Sequence, residues 1–173
     1  MEKKITTSIV AGVILALISI VLFLAYYFTG LAFQDNATKW IPGAIMLVLV
    51  IVFIIKWAND NNGNVTFGQC FGYGFKMIAM STVIVFVFMI IFLYAFPDYK
   101  AQLMDMMRNQ FNQKGNMSDE QKEQALGMVD KFFMISILGG SLFGNLIIGT
   151  LASLIGAGVA KKNPANPFDQ QPM

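Results

Sequence analysis

Apolar residues along this chain come in four long blocks, and the charged residues are gathered between them. The first block runs from Ile5 to Phe28 without a charge. The second runs from Trp40 to Ile55, bounded by Lys39 and Lys56. The third covers Met77 to Phe96 and the fourth Phe132 to Ala160. A helix needs about 20 mainly apolar residues to cross ~30 Å of hydrocarbon at ~1.5 Å per residue. Blocks one, three and four reach that length. The second is shorter, about 25 Å from Trp40 to Trp57. Tryptophan favours the water–lipid interface and lysine snorkels outward, so Trp40, Trp57, Lys39 and Lys56 act as interfacial anchors of a short span. The pattern predicts an all-α polytopic membrane protein forming a single membrane domain, with spans at 5–28, 40–57, 75–96 and 132–160.

Between spans three and four, residues 97–131 are too polar to cross and too many for a turn. They predict an extramembrane helical hairpin, amphipathic and standing off the membrane or lying on it. Pro97 suits a first helical turn, where its missing N–H is no loss, and Asp98 lies near the positive helix end. The stretch around Gly115 breaks the pattern. Ser118 and Gln121 then form an S-x-x-Q capping box, with Asp119 and Glu120 in the first turn. Ala125, Met128, Val129 and Phe132 carry an apolar face onward. No proline intervenes between Ser118 and Pro164, so the second arm is expected to run into the fourth span as one helix. Residues 161–173 read as a flexible tail.

Composition sharpens this. Of 173 residues, 56% are hydrophobic and 13% charged, about half the charge of a soluble domain, and the mean hydropathy is +0.61. The basic start and Gly30-x-Ala32 imitate a secretion signal, but the apolar run exceeds the ~7–15 residues of a signal core; it reads as an uncleaved span. Cys70 is the only cysteine and there is no histidine. That removes an intramolecular disulfide, His-based nucleophile pairs and His zinc sites. The net charge of +2 is divided among loops, with no basic run for nucleic acid.

Four spans put both termini on one side. Lys3, Lys4, Lys56, Lys76, Lys161 and Lys162 share that side; Lys39, Lys100, Arg108, Lys114, Lys122 and Lys131 share the other. The basic count is balanced, but the lysines tight against span ends favour termini in the cytoplasm.

Three sets of residues invite a functional reading. Met104, Met106, Met107, Met117 and Met128 have the soft sulfur of Cu(I) ligands, yet methionine more often fills adaptable helix contacts; no metal or cofactor is expected. In span four, Gly140 and Gly144 form GxxxG, and Gly149–Ser153 and Ala152–Gly156 repeat the small-xxx-small spacing of close helix packing. Gly12 and Ala16 of span one offer a reciprocal surface. Asn145, Thr150 and Ser153 add polar groups there, and ordinary packing explains them better than a polar path. No Asp or Glu lies within a span, which weighs against ion-coupled transport.

The entry to span three, "VTFGQCFGYGFKM", sorts by helical spacing behind Thr66 as N-cap. Phe67, Phe71 and Phe75 make an aromatic stripe, and Gly68 and Gly72 a small one suited to helix packing. Gln69, Tyr73 and Lys76 make a polar stripe. It is not a phosphate loop, having neither GxxxxGK[ST] nor GxGxxG after a strand. The four-span layout, this "TFGQCFGYGF" entry, the Pro-led insert and the closing "LIGAGVAKKNP" together resemble a bacterial integral-membrane family known as domain of unknown function 4199. Thr66-Phe67-Gly68, Phe71 and Gly74 are the most specific elements, and the tail basics match Lys161 and Lys162. The resemblance implies a small bacterial inner-membrane protein without an assigned reaction, and it carries over no catalytic residue.

The leading expectation is a non-enzymatic accessory or scaffold protein whose hairpin or fourth span engages a partner. The lipid bilayer surrounds it, and a second copy or another membrane protein is the candidate partner. The alternative is a small oligomeric channel or transporter, with span four and the Gln69–Tyr73–Lys76 face at the pathway. An enzyme ranks third, because no acid of the insert is placed in an obvious pocket.

Overall fold

The computed structural model describes residues 5–31, 40–113 and 118–162, apart from the side chains at 110–113, 134 and 136. Lys39, the break at Gly115, Met117 and the tail beyond 162 lie outside the described residues. Six helices follow in order: α1 (Ser8–Phe28), α2 (Ile41–Asp60), α3 (Phe67–Ala95), α4 (Pro97–Gln113), α5 (Asp119–Lys131) and α6 (Phe133–Val159). Among the described residues there is no strand. Helices α1, α2, α3 and α6 are long and apolar enough to cross a membrane.

Local chemistry sets the ends. Thr7 caps α1, its hydroxyl accepting from the Val10 N–H at 3.3 Å. The link from α2 to α3 needs two left-handed residues, Asn62 at φ 56° and Gly63 at φ 73°, the two residue types that tolerate this conformation best. Gly63 N–H then bonds the Ala58 carbonyl. Thr66 and Gln69 form a reciprocal capping box that starts α3. Phe96 takes extended-side dihedrals before Pro97, which excludes the helical region for its predecessor, so α3 stops and α4 begins. Ser118 and Gln121 form the second capping box.

The expected continuous helix from Ser118 into the fourth span does not form. Phe132 sits at φ −108°, ψ 18° and separates α5 from α6. The break leaves Phe132 exposed and Phe133 buried. Lys100 of α4 locks this corner: its ammonium lies 2.9 Å from Asp130 and 5.2 Å over the Phe133 ring. A straight continuation would forfeit that arrangement.

Helix α3 is the hub. It packs on α1, α2 and α6, whereas the α1 and α6 backbones do not approach each other. The small face of α1 therefore meets α3 and not α6: a Cβ built on Gly12 would lie 2.7 Å from the Met77 carbonyl oxygen and 2.8 Å from Met80 Cβ. Around the α3 N-terminus the helices close tightly, with Leu15, Ile54, Cys70, Met77 and Ala157 buried together. The opposite end is filled by rings. Phe23, Tyr27, Phe92 and Tyr99 meet edge to face at centroid distances of 5.0 to 5.8 Å, and α4 enters this cluster through Tyr99 and Met104. Burial, and secondarily neighbouring Tyr27, pushes the Tyr99 phenol above its ordinary value, so it stays protonated at neutral pH.

These contacts divide the glycines. Gly12→Val drives a side chain into the backbone of α3, and overpacking of this kind costs about 1–3 kcal/mol. Gly144→Ala meets nothing within 4 Å in the chain and gains about 1 kcal/mol of helix propensity. Thermal melts in detergent are expected to fall by several degrees for Gly12→Val and to hold or rise for Gly144→Ala.

Candidate functional site

The small residues of α6 separate into two faces. Gly149, Ser153, Gly156 and Ala160 turn inward. A Cβ on Gly149 would come 2.5 Å from Ile78 Cγ2, and one on Gly156 would come 2.8 Å from Ile54 Cδ1. Ser153 is fully buried against Gly74 of α3, where a Cβ would lie 2.7 Å from the serine oxygen. Gly140 and Gly144 face away, and among the described residues no atom would touch a Cβ at either. With Ile147 and Leu151, both more than half exposed, they lie at i, i+4, i+7 and i+11, one outward stripe. Gly68 and Gly72 likewise meet no other helix of the chain.

The polar stripe of α3 does not line one path. The Gln69 carboxamide is engaged in its cap. Tyr73 is buried and stacks on Trp57 at 4.7 Å between centroids with the rings 15° from parallel. Lys76 is exposed, as is Lys56. Trp57 is thus a packing residue, while Trp40 is 72% exposed at the start of α2. The Tyr73 and Ser153 hydroxyls are buried without a hydrogen-bond partner among the described residues. The methionines do not converge either: Met104 is in the aromatic cluster and Met128 is on the surface.

Because α1 and α6 stay apart on α3, a cleft runs between them. It has two lobes of ≈ 390 Å³ each. The first lies toward α2, among Leu15, Ser19, Met46, Val50 and Ala152. The second lies under α4, among Met89, Leu103, Ile137 and Ser141. Phe23, Thr82, Val85, Tyr99 and Asn145 border both. Toward the α3 N-terminus the cleft ends where Ile54, Met77 and Ser153 are sealed in the core. Among the described residues no Asp, Glu, Lys or Arg lines either lobe.

Asn145 is the one proposed polar residue that the structure places on this cleft; Thr150 gives its hydroxyl to the Leu146 carbonyl at 2.7 Å. Ser81 and Thr82, also on the cleft, escaped the sequence reading. The adjacent Ser-Thr pair in the middle of an otherwise apolar span is the signal that marks them. The cleft offers neutral hydrogen-bonding groups among apolar walls.

The chain matches the model of a family described as "Protein of unknown function (DUF4199)" over residues 11–162, and it belongs to that family. No curated protein and no solved structure matches it.

The Tyr73 pair generates a test. Removing an unpartnered buried hydroxyl removes a desolvation cost, so Tyr73→Phe is expected to melt at or above the native temperature. Trp57→Ala opens a cavity worth about 3 kcal/mol or more and is expected to melt well below it.

Proposed function

We propose that this member of the DUF4199 family is a non-enzymatic accessory or scaffold protein of the bacterial inner membrane, which holds another membrane-embedded chain against the outward face of α6 and the adjoining hairpin. The observation that carries this reading is the open stripe of Gly140, Gly144, Ile147 and Leu151. Glycine in a helix interior costs about 1 kcal/mol relative to alanine. At Gly149 and Gly156 close approach to another helix offsets that cost. At Gly140 and Gly144 no helix among the described residues does so, and a partner helix supplies the missing contact. The hairpin stands beside that face, since α5 leads directly into α6 through Phe132.

A channel or transporter draws less support. Its candidate polar residues are scattered among a helix cap, an aromatic stack and an exposed position, and the cleft ends blind within one chain. For orientation we place the termini in the cytoplasm. Lys56 in the last turns of α2, Lys161 and Lys162 just after α6, and Lys76 in the first third of α3 share one side of the bundle, as expected of a cytoplasmic face.

Two experiments test these statements. With Cys70 replaced by serine, Gly144→Cys in native membranes is expected to crosslink to a distinct membrane protein, with Gly144→Leu abolishing co-purification of that partner while leaving the melting temperature unchanged. Exclusive self-crosslinks would support the oligomeric alternative instead. In the same background, a membrane-impermeant thiol reagent applied to intact cells is expected to label Asn116→Cys and not Asn166→Cys; the reverse pattern inverts the topology.

A further inference from the structure

One face of α3 forms the floor of the cleft. Ile78, Ser81, Thr82, Val85, Phe86 and Met89 follow one another along it, over about 16 Å of helix. Two of these six are polar. Ser81 is 5% exposed and Thr82 7%.

A hydroxyl in a membrane helix ordinarily returns its hydrogen bond to a carbonyl three or four residues back. Ser19, Thr29, Ser141 and Thr150 do so here, at 2.7 to 2.9 Å. Ser81 and Thr82 do not: among the described residues neither hydroxyl has a partner, and neither does the Asn145 amide across the cleft. An amide brings two donors and an acceptor. These three side chains therefore present unsatisfied donors and acceptors to the same space, deep in a region where no bulk water competes. The total volume lies within the usual range for small-molecule sites. Among the described residues the walls carry no charge to balance a charged headgroup, and an unpaired ion within a membrane span is strongly disfavoured.

We infer that the cleft is a binding site for an uncharged long-chain lipid bearing a hydroxyl or carbonyl oxygen. The oxygen is held by Ser81, Thr82 and Asn145, and the chain fills the lobes along α3. Entry is lateral, from the bilayer, between α1 and α6. This site is distinct from the outward face of α6, and neither depends on the other.

The test uses the full chain in phospholipid vesicles and three photoactivatable probes with a diazirine in the chain: hexadecanol, hexadecane and a phosphatidylcholine. Peptides carrying Ser81–Thr82 and Asn145 are expected to be labelled by the alcohol about fivefold or more above the hydrocarbon, the advantage of one net hydrogen bond. Unlabelled hexadecanol is expected to compete. Ser81→Ala with Thr82→Val should bring alcohol labelling down to the hydrocarbon level with the melting temperature retained. Should that double variant fail to fold, Asn145→Ala, at an exposed position, is expected to lower alcohol labelling alone. Equal labelling by alcohol and hydrocarbon, equal labelling of the cleft by the phosphatidylcholine, or alcohol labelling unmoved by these substitutions would overturn the inference.

Discussion

Everything in this bundle depends on how closely other helices can approach α3. In lipid, apolar side chains gain nothing by leaving the solvent, so helices associate through van der Waals contact and polar bonds. Such contact is short-ranged and requires near-touching backbones. Gly12, Gly74, Gly149 and Gly156 provide that proximity: each lies where a single added carbon would collide with a neighbouring helix. Large side chains, Ile54, Ile78 and Met80, stand opposite them.

The same constraint explains why the two ends of the bundle differ. Near the α3 N-terminus, small residues on α1, α3 and α6 coincide and the helices converge. Farther along, the glycines of α6 turn outward and bulky rings take over on α1 and α3. Phenylalanine and tyrosine keep helices apart while remaining in contact edge to face, an arrangement their quadrupoles favour. The α1–α6 gap runs over α3 beside both regions, since the two helices approach nowhere. The cleft is thus a product of helix geometry. Its polar residues, Ser81, Thr82 and Asn145, sit at that transition.

The hairpin follows from junction chemistry. Pro97 ends α3 without a loop, and a one-residue turn at Phe132 joins α5 to α6. Lys100 makes this second corner specific by combining an ion pair with a cation–ring contact. An exposed ion pair alone contributes little; its value here is in fixing the direction in which α5 leaves the bundle.

Length and apolar periodicity by themselves determined the four membrane-length helices and the all-α class, because the cost of exposing backbone to hydrocarbon leaves a helix as the natural form for an isolated apolar run. Local chemistry likewise announced the caps at Thr66 and Ser118 and the helix start at Pro97, since each involves residues only a few positions apart. What spacing did not determine was facing. Gly140–Gly144 and Gly149–Ser153 carry the same signature, yet among the described residues one pair meets no other helix and the other is buried against α3. Tyr73 reads as polar until Trp57 covers it, and Gly12 suits α6 as well as α3 until the packing order is known. The break at Phe132 accompanies contacts from Lys100, distant in sequence, to Asp130 and Phe133. Only the tertiary structure resolves such choices, because each depends on which helix stands opposite and how it is rotated about its axis.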